Sequence, residues 1–395
     1  MPAFEPFRAH RYAPGTDLTR VIAPPYDVLS DADTDALAAR SEHNIVHVDV
    51  PRGGDDRYER AAATLQGWLD AGVLVTDDEP SFTMYRMGFT DATGASREIV
   101  GVLGALEVVD AGAGGVLPHE RTTPKAKTDR LDLTRATDAN LSPVWGLSLA
   151  RGLTAALAEP GEPVGTLVVD GVTHRVERVT DPERIAAIAS IVGADDVLIA
   201  DGHHRYAIAR THRDEVRAAS GRTDTTAERT LTFVNELVEE QLSIEAIHRV
   251  YRGLSADALR DALAGRFDLT PAPDPTPATL SEMVRTGRLV LLTAQGASWL
   301  TPRPGAFDGV RALDGAWLEH AVEGTGAEVG YQHGLAEVTE LVSSGAVAGA
   351  VLIRPTSLVE IERTAREGLL MPPKSTFFTP KLRTGFVLRP LGVTD

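Results

Sequence analysis

Between Arg57 and Gly72 the apolar residues Ala61, Leu65, Trp68 and Leu69 recur at helical spacing and stop at a glycine, which predicts an amphipathic helix. The pattern then changes period. From Ser81 to Val109 the short runs SFTMYRMGF and REIVGVLGALEVV flank the turn Asp91-Ala92-Thr93-Gly94 and predict an antiparallel hairpin. The stretch AGAGGVLPHERTTPKAK that follows is punctuated by Gly and Pro, too irregular for a regular element and long enough to carry function. A helix is predicted after it, from about Thr128 to Ala139.

SPVWGLSLA, the Asp181 to Val192 segment, DVLIA, the segment after Gly202 and LTFVNELVE read in turn as strand, helix, strand, helix, strand. That alternation predicts a mixed α/β (α+β) fold. Beyond Tyr251 the periodicity weakens, and the Pro-rich PAPDPTPAT at Pro271 to Thr279 predicts a linker or surface loop. RLVLLT and AVLIRP predict buried strands, and Leu335 to Val342 a helix. Near the start, Ala23-Pro24-Pro25-Tyr26-Asp27-Val28 predicts a rigid turn and Asn44-Ile45-Val46-His47 a strand entry, with Tyr26, Asp27 and Asn44 as candidates for lining a cleft. The expected division is a core over 1–250 and a C-terminal α/β portion over 251–395 whose 371–385 loop returns to the active site.

The apolar strand Val197-Leu198-Ile199-Ala200 runs into Asp201-Gly202 and then into HHRYAIARTHRDEVRAA, which has helical composition and no breaker before Ser220-Gly221. At such a junction the first helical amides point outward with the positive end of the helix dipole behind them, so an anion is stabilised there. Gly202 lets a phosphate approach the backbone; Asp201 is placed to cap the helix or hold magnesium; His203, His204 and Arg205 add donors, Arg205 in bidentate form. The plain alternative is an ordinary helix cap with structural histidines. Zinc is the competing use of the histidines, but neighbours on a helix point about 100° apart, and His119, His248 and His333 belong to no H-x-x-x-H pair. The sequence also lacks a G-x-x-x-x-G-K-[ST] loop and a convincing G-x-G-x-x-G.

Pro118-His119-Glu120-Arg121-Thr122, followed by Lys125, Lys127, Asp129 and Arg130, gathers a candidate general base in Glu120 and several cations on one segment. Phosphoryl transfer needs that combination, a carboxylate to orient or deprotonate a hydroxyl and cations to neutralise the transferred group. A solvated charged loop would look the same. Met371-Pro372-Pro373-Lys374-Ser375-Thr376-Phe377-Phe378-Thr379-Pro380-Lys381 is a third candidate, a preorganised loop with hydroxyls around a lysine, or else a rigid turn covering an apolar face.

Composition sharpens this picture. Of 39 basic residues only Lys125, Lys127, Lys374 and Lys381 are lysine, and Asn44, Asn140 and Asn235 are the only asparagines. Where arginine replaces lysine wherever chemistry allows, the surviving lysines mark places that need a compact ammonium. With no cysteine, disulfides, thiol nucleophiles and cysteine-bound metals are excluded. The net charge of −17 disfavours a broad nucleic-acid footprint. No apolar run is long enough to span a bilayer and the start MPAFEPFRAHRYAP lacks a signal-peptide core, which predicts a cytoplasmic protein with no membrane partner.

PPYDVLS, NIVHVDVP, HERT with KTDRLDL and ATDANLSPV, ADGHHRYAIA and MPPKSTFFTPKLRTG resemble, in this order, the motifs of the domain-of-unknown-function family DUF1015, over nearly the full chain. The Asp-Gly-His-His-Arg element also resembles the phosphate-binding motif of the ParB and sulfiredoxin-like superfamily, which includes nucleotide-dependent free serine kinases and CTP-hydrolysing partition proteins. This resemblance implies a ParB/sulfiredoxin-like mixed-sheet core with nucleotide phosphates on the helix that begins near Gly202. It places Asp201, Gly202, His203, His204 and Arg205 at the phosphate site, with magnesium and a carboxylate completing it. The partition-protein role is not supported, since the chain is acidic and shows no helix-turn-helix.

The expected activity is a small-molecule kinase that uses ATP, ADP or another phosphoanhydride with Mg2+ and phosphorylates free L-serine or a similar hydroxyl compound. Its expected catalytic residues are Glu120, Asp201 and His204, with Asp201 as metal ligand. Gly202, His203, Arg205, His119, Arg121, Lys125, Lys127, Arg130, Asn140 and Lys374 are expected to contact the donor. A slowly hydrolysing nucleotide switch acting on a protein partner and a non-catalytic metabolic scaffold are the alternatives, and a homodimer is compatible with each.

Overall fold

The computed structural model describes residues 1–91, 94–119, 127–371 and 374–392, with Lys127 and Thr128 described for the backbone only. Its centre is a nine-stranded mixed sheet. The order is Val116–Leu117, Val197–Asp201, Val144–Ser148, Arg229–Glu236, Ser96–Glu107, Phe82–Thr90, Val172–Val179 and Glu162–Val169, and Phe4–Glu5 also pairs with Ser96–Glu107. Two pairings are parallel, Val197–Asp201 with Val116–Leu117 and Arg229–Glu236 with Val144–Ser148; the others are antiparallel.

The long hairpin forms where alternation predicts it, with Tyr85 opposite Gly101. Gly101 is required by packing, since a Cβ there would stand 2.3 Å from Cζ of Phe233. Strand Val144–Ser148 is buried along its whole length, as expected for a strand covered on both faces. On one face Trp145, Phe233, Tyr85, Phe378 and Phe386 share a core; on the other, Val144, Val197 and Ile199 pack with Ile188, Val192, Tyr206 and Ala209 from the helices Pro182–Val192 and His203–Ser220.

Residues 248–352 hold a second, fully antiparallel sheet of six strands in the order Phe267–Ala272, Gly296–Pro302, Leu289–Thr293, Gly349–Leu352, His248–Arg252 and Glu328–Gln332. It too has a core on each face. The Pro-rich stretch is not a linker or loop throughout. Pro271 lies in Phe267–Ala272, at the sheet edge where a missing N–H is tolerated, and Pro277 opens helix Pro277–Thr286, where the first amides have no helical partner.

Asn44 to His47 likewise enters a helix and not a strand. Asn44 Oδ1 accepts the Val46 amide at 3.1 Å, and Nδ2 donates to the Arg20 carbonyl at 2.8 Å, so the side chain turns the backbone into the short helix Val46–Asp49. Asn44 is fully buried in that duty, which accounts for its place in the motif without a cleft.

After helix Leu358–Arg366 the chain returns to the nine-stranded sheet. The Met371 amide donates to the His119 carbonyl at 2.8 Å, Phe377–Thr379 pairs with Ser243–Glu245, and Arg389–Pro390 pairs with Ala139–Asn140. Phe378, Phe386 and Leu388 are buried among the residues of the first core, which anchors this return. Among the described residues no helix is long and apolar enough to cross a membrane.

Candidate functional site

Strand Val197–Asp201 ends on Gly202, whose φ of 84° and ψ of 28° turn the chain directly into helix His203–Ser220. An L side chain is strained in that conformation. The first bond of the helical ladder joins the Tyr206 amide to the Gly202 carbonyl at 3.0 Å, so the amides before Tyr206 precede the ladder. A Cβ on residue 202 would stand 3.0 Å from Arg205 Nε, a buried donor with no acceptor among the described residues. Glycine keeps that space open beside an unsatisfied donor, which suits an oxyanion.

Asp201 sits between two cations. Its Oδ2 accepts Arg205 Nη2 at 2.8 Å and its Oδ1 accepts Lys381 Nζ at 3.1 Å. Burial opposes its ionisation, but Lys381 and Arg205 outweigh burial and hold the carboxyl well below the usual carboxylate range. Arg205 also donates through Nη1 to the Pro143 carbonyl and lies 3.8 Å from Asp27. Lys381 lies 4.4 Å over the Phe377 ring.

His119 is fully buried and stitches three segments together. Its Nδ1 faces the Ile199 carbonyl at 2.7 Å, which only accepts, so Nδ1 carries the proton and Nε2 accepts the Thr376 hydroxyl at 2.9 Å. The His119 amide in turn donates to His203 Nε2 at 3.4 Å, with the two rings 4.8 Å apart. Burial pushes the His119 pKa down to about 4, and burial with His119 alongside pushes His203 well below 6.5. Both rings are therefore neutral at pH 7.

A second charged group adjoins the first. Arg130 Nη1 donates to Asp49 Oδ1 at 3.1 Å and its guanidinium lies 3.7 Å over the Tyr26 ring. Ser142 donates to Asp49 Oδ2 at 3.2 Å and accepts from the Thr384 hydroxyl at 2.8 Å. Burial raises the Asp49 carboxyl against the pull of Arg130 and Ser142. A small cavity of about 50 Å³, lined by Tyr26, Asp49, Arg130, Asn140, Ser142 and Arg205, joins the two groups and has room for a few water molecules.

The structure thus brings Asp201, Gly202, His203, Arg205, His119 and Arg130 into one region. Glu120, Arg121 and Lys125 lie outside the described residues, as does the Lys127 side chain. His204 is half-buried in the first turn of the helix. Asn140 lines the cavity, while its Oδ1 accepts the Leu231 amide at 3.0 Å and Arg389 Nη1 at 3.3 Å, bonds that hold the strands in place. Lys374 is exposed at a φ of 59°, with its carbonyl accepting Arg249 Nη1 at 3.2 Å.

Sequence reasoning missed Asp49, Ser142 and Thr384, named Thr376 as one of the hydroxyls of its motif, and placed Lys381 there without giving it a role. Only the scarcity of lysine pointed to Lys381. Asp49 and Arg130 are separated by 81 residues, a pairing no local pattern contains.

Among the described residues no group of three or more His, Asp or Glu stands close enough to hold a metal ion. Both Asp201 oxygens are taken by cations, so that carboxylate would have to exchange one of them for magnesium. The described donor set does not fit a resident magnesium ion.

Four of the five motifs fall within a segment that defines a family. The chain is a member of DUF1015, described as a protein of unknown function, whose model matches residues 4–316. No curated protein matches it. Among solved structures, a free serine kinase in complex with AMP is similar at 14% identity and a TM-score of 0.38, over 69% of this chain and 89% of that one. A truncated SbnI from Staphylococcus aureus gives 16% identity and a TM-score of 0.38 over 73% and 87% of the two chains. A conserved hypothetical protein from Pyrococcus furiosus gives 13% and 0.37 over 69% and 92%. The functional reading below rests on the residues of the site and not on these likenesses.

Proposed function

We propose that the chain is a phosphotransferase, which takes a phosphoryl group from ATP, ADP or another phosphoanhydride and passes it to a small hydroxyl compound such as free L-serine. The observation that carries this reading is the helix start at Gly202, where an open glycine, an unsatisfied buried guanidinium donor and an ionised Asp201 held between two cations stand together. Such an arrangement is preorganised for phosphate oxygens and for the charge that builds up on them during transfer. Asp201, kept ionised by its partners, is a poor proton acceptor and serves to hold Arg205 and Lys381. His203 is neutral, with its Nε2 lone pair turned to the His119 amide, and so offers a hydrogen-bond donor at Nδ1.

Glu120, next in the chain to His119, is the proposed base for the acceptor hydroxyl. Incubating the purified protein with magnesium, a panel of phosphoanhydrides and L-serine or other hydroxyl compounds tests the reading. Acceptor-dependent formation of a phosphorylated product is expected, and Glu120→Gln should slow it about 100-fold while leaving donor affinity largely intact. Hydrolysis that ignores every acceptor would favour a nucleotide switch. Calorimetry that finds no binding of nucleotide or pyrophosphate would overturn both.

A further inference from the structure

We propose that Lys381 is a catalytic residue whose ammonium bridges Asp201 and the transferred phosphoryl group, with Arg205 as the positioning residue that holds Asp201 from the other side. This rests on the phosphotransferase reading. Both cations touch the same carboxylate, but they differ in what they have left to give. Arg205 is 8% exposed at its side chain, with its Nη1 committed to the Pro143 carbonyl and its Nη2 to Asp201, so what it can offer is the fixed, unsatisfied Nε beside Gly202. Swinging the whole group onto a ligand would strand the buried Pro143 carbonyl and take from Asp201 one of its two cations, a cost that one new contact does not offset.

Lys381 is in the opposite position. Its side chain is 16% exposed and makes one hydrogen bond, to Asp201, among the described residues. An ammonium has three donors, so two remain. Their tetrahedral spread lets one N–H stay on Asp201 while another meets an oxyanion at the adjoining helix start. The lysine is also aimed. Its ammonium rests on Phe377, and Phe377 stacks on His333 with ring centroids 4.5 Å apart and planes 10° from parallel. A planar guanidinium lacks the tetrahedral spread that lets one nitrogen bridge Asp201 and an oxyanion, which gives a reason for lysine at this position in a chain with only four lysines among its 39 basic residues.

In the step itself the acceptor oxygen bonds to phosphorus as the bridging P–O bond of the donor breaks. The hydroxyl proton passes to the general base of that reading, and the electrons of the broken bond leave with the shortened donor. Lys381 exchanges no proton; it neutralises charge on the transferred oxygens. Residue 381 lies beyond the 4–316 segment matched by the family model, so the segment that completes the site comes from outside it.

The test compares the full-length wild type, Lys381→Ala and Lys381→Arg by donor calorimetry, turnover and thermal melting. Lys381→Ala should lose about 100-fold in turnover, the scale of removing one donor to a developing oxyanion, and added methylammonium should restore part of it. Lys381→Arg should not recover it. A merely structural lysine would instead give a lowered melting temperature, rescue by arginine and no response to amine, and that result would overturn the proposal. So would full turnover in Lys381→Ala. If Lys381→Ala fails to fold, Lys381→Met keeps the aliphatic stem over Phe377 and carries the same comparison, with wild-type turnover again overturning it. Absence of donor binding by the wild type would remove the phosphotransferase reading, which is distinct from a wild type that binds and a variant that is unchanged.

Discussion

The nine-stranded and six-stranded regions each enclose histidine and arginine side chains, and they use them differently. In the six-stranded region His248 Nδ1 accepts the Ile353 amide at 3.2 Å, and Arg249 donates to the carbonyls of Ile247 at 2.6 Å and Lys374 at 3.2 Å. Those groups satisfy backbone. In the nine-stranded region His119 joins Thr376, Arg130 joins Asp49 and Arg205 lies 3.8 Å from Asp27, side chains from segments far apart in sequence, and these groups adjoin the Gly202 helix start. A buried polar residue is therefore not in itself a sign of a site, because folding alone demands that such groups be paired. Convergence of remote segments on a place where a ligand is favoured is the better sign.

The largest difference between the regions should appear in their buried ion pairs. Arg130 and Asp49 are almost fully enclosed, so Arg130→Met leaves an uncompensated carboxylate inside and should destabilise by about 3–5 kcal/mol. In the six-stranded region Arg354 is partly exposed, and its own backbone amide stays bonded to Asp314 at 2.9 Å when the side chain is removed. Arg354→Met should cost about 2 kcal/mol. Denaturant unfolding, followed by Trp145 for the first region and Trp299 for the second, measures both. Equal losses would mean that enclosure does not separate the two pairs.

A smaller effect should come from acid. Burial lowers the pKa of His119 and of His248 to about 4 from the ordinary 6.5. The unfolded chain therefore takes up a proton at each position as pH falls below about 6.5 while the folded chain does not. The stability is fully present above that pH and is lost as pH falls toward 4. Each histidine contributes at most about 3 kcal/mol to this loss. Asparagine keeps the Nδ1 bond in both places, as a donor to Ile199 or an acceptor from Ile353, so His119→Asn and His248→Asn should each flatten the acid limb. His119→Asn should also slow turnover by freeing Thr376, and His248→Asn should not. If both variants slow turnover alike, the division between a site histidine and a scaffold histidine fails.

What was legible in the sequence follows the same division. The helix Arg57–Asp70, the paired strands Phe82–Thr90 and Ser96–Glu107 and the strand, glycine and helix at Val197–Ser220 are written in local periodicity and glycine placement, and all three form. The Pro-rich stretch misleads because the reasons that make proline a breaker do not apply on an edge strand or at a first helical turn. Asn44 misleads because its side chain supplies a bend that the backbone pattern does not show. Within the site, the Asp201 to Arg205 element announces itself, whereas Asp49, Ser142 and Thr384 acquire meaning only from one another, across 93 and 242 residues. Scarcity of lysine marks both Lys374 and Lys381 and cannot choose between them. Folding does, by exposing the first and setting the second on Asp201.

The smallest effect offers the sharpest control on this contrast. Arg303 and Asp268 in the six-stranded region approach to 2.8 Å, the same separation as Arg205 and Asp201. Their side chains are 47% and 60% exposed, so water and salt screen the attraction and ordering two long side chains takes back much of what is left. Arg303→Ala should shift stability by less than about 0.5 kcal/mol and leave turnover unchanged. Arg205→Ala, at the same separation, should weaken donor binding, because the arginine sets Asp201 and through it Lys381. Denaturant midpoints and donor calorimetry on the two variants separate enclosure from distance: a large shift in Arg303→Ala would show that separation alone sets the worth of these pairs.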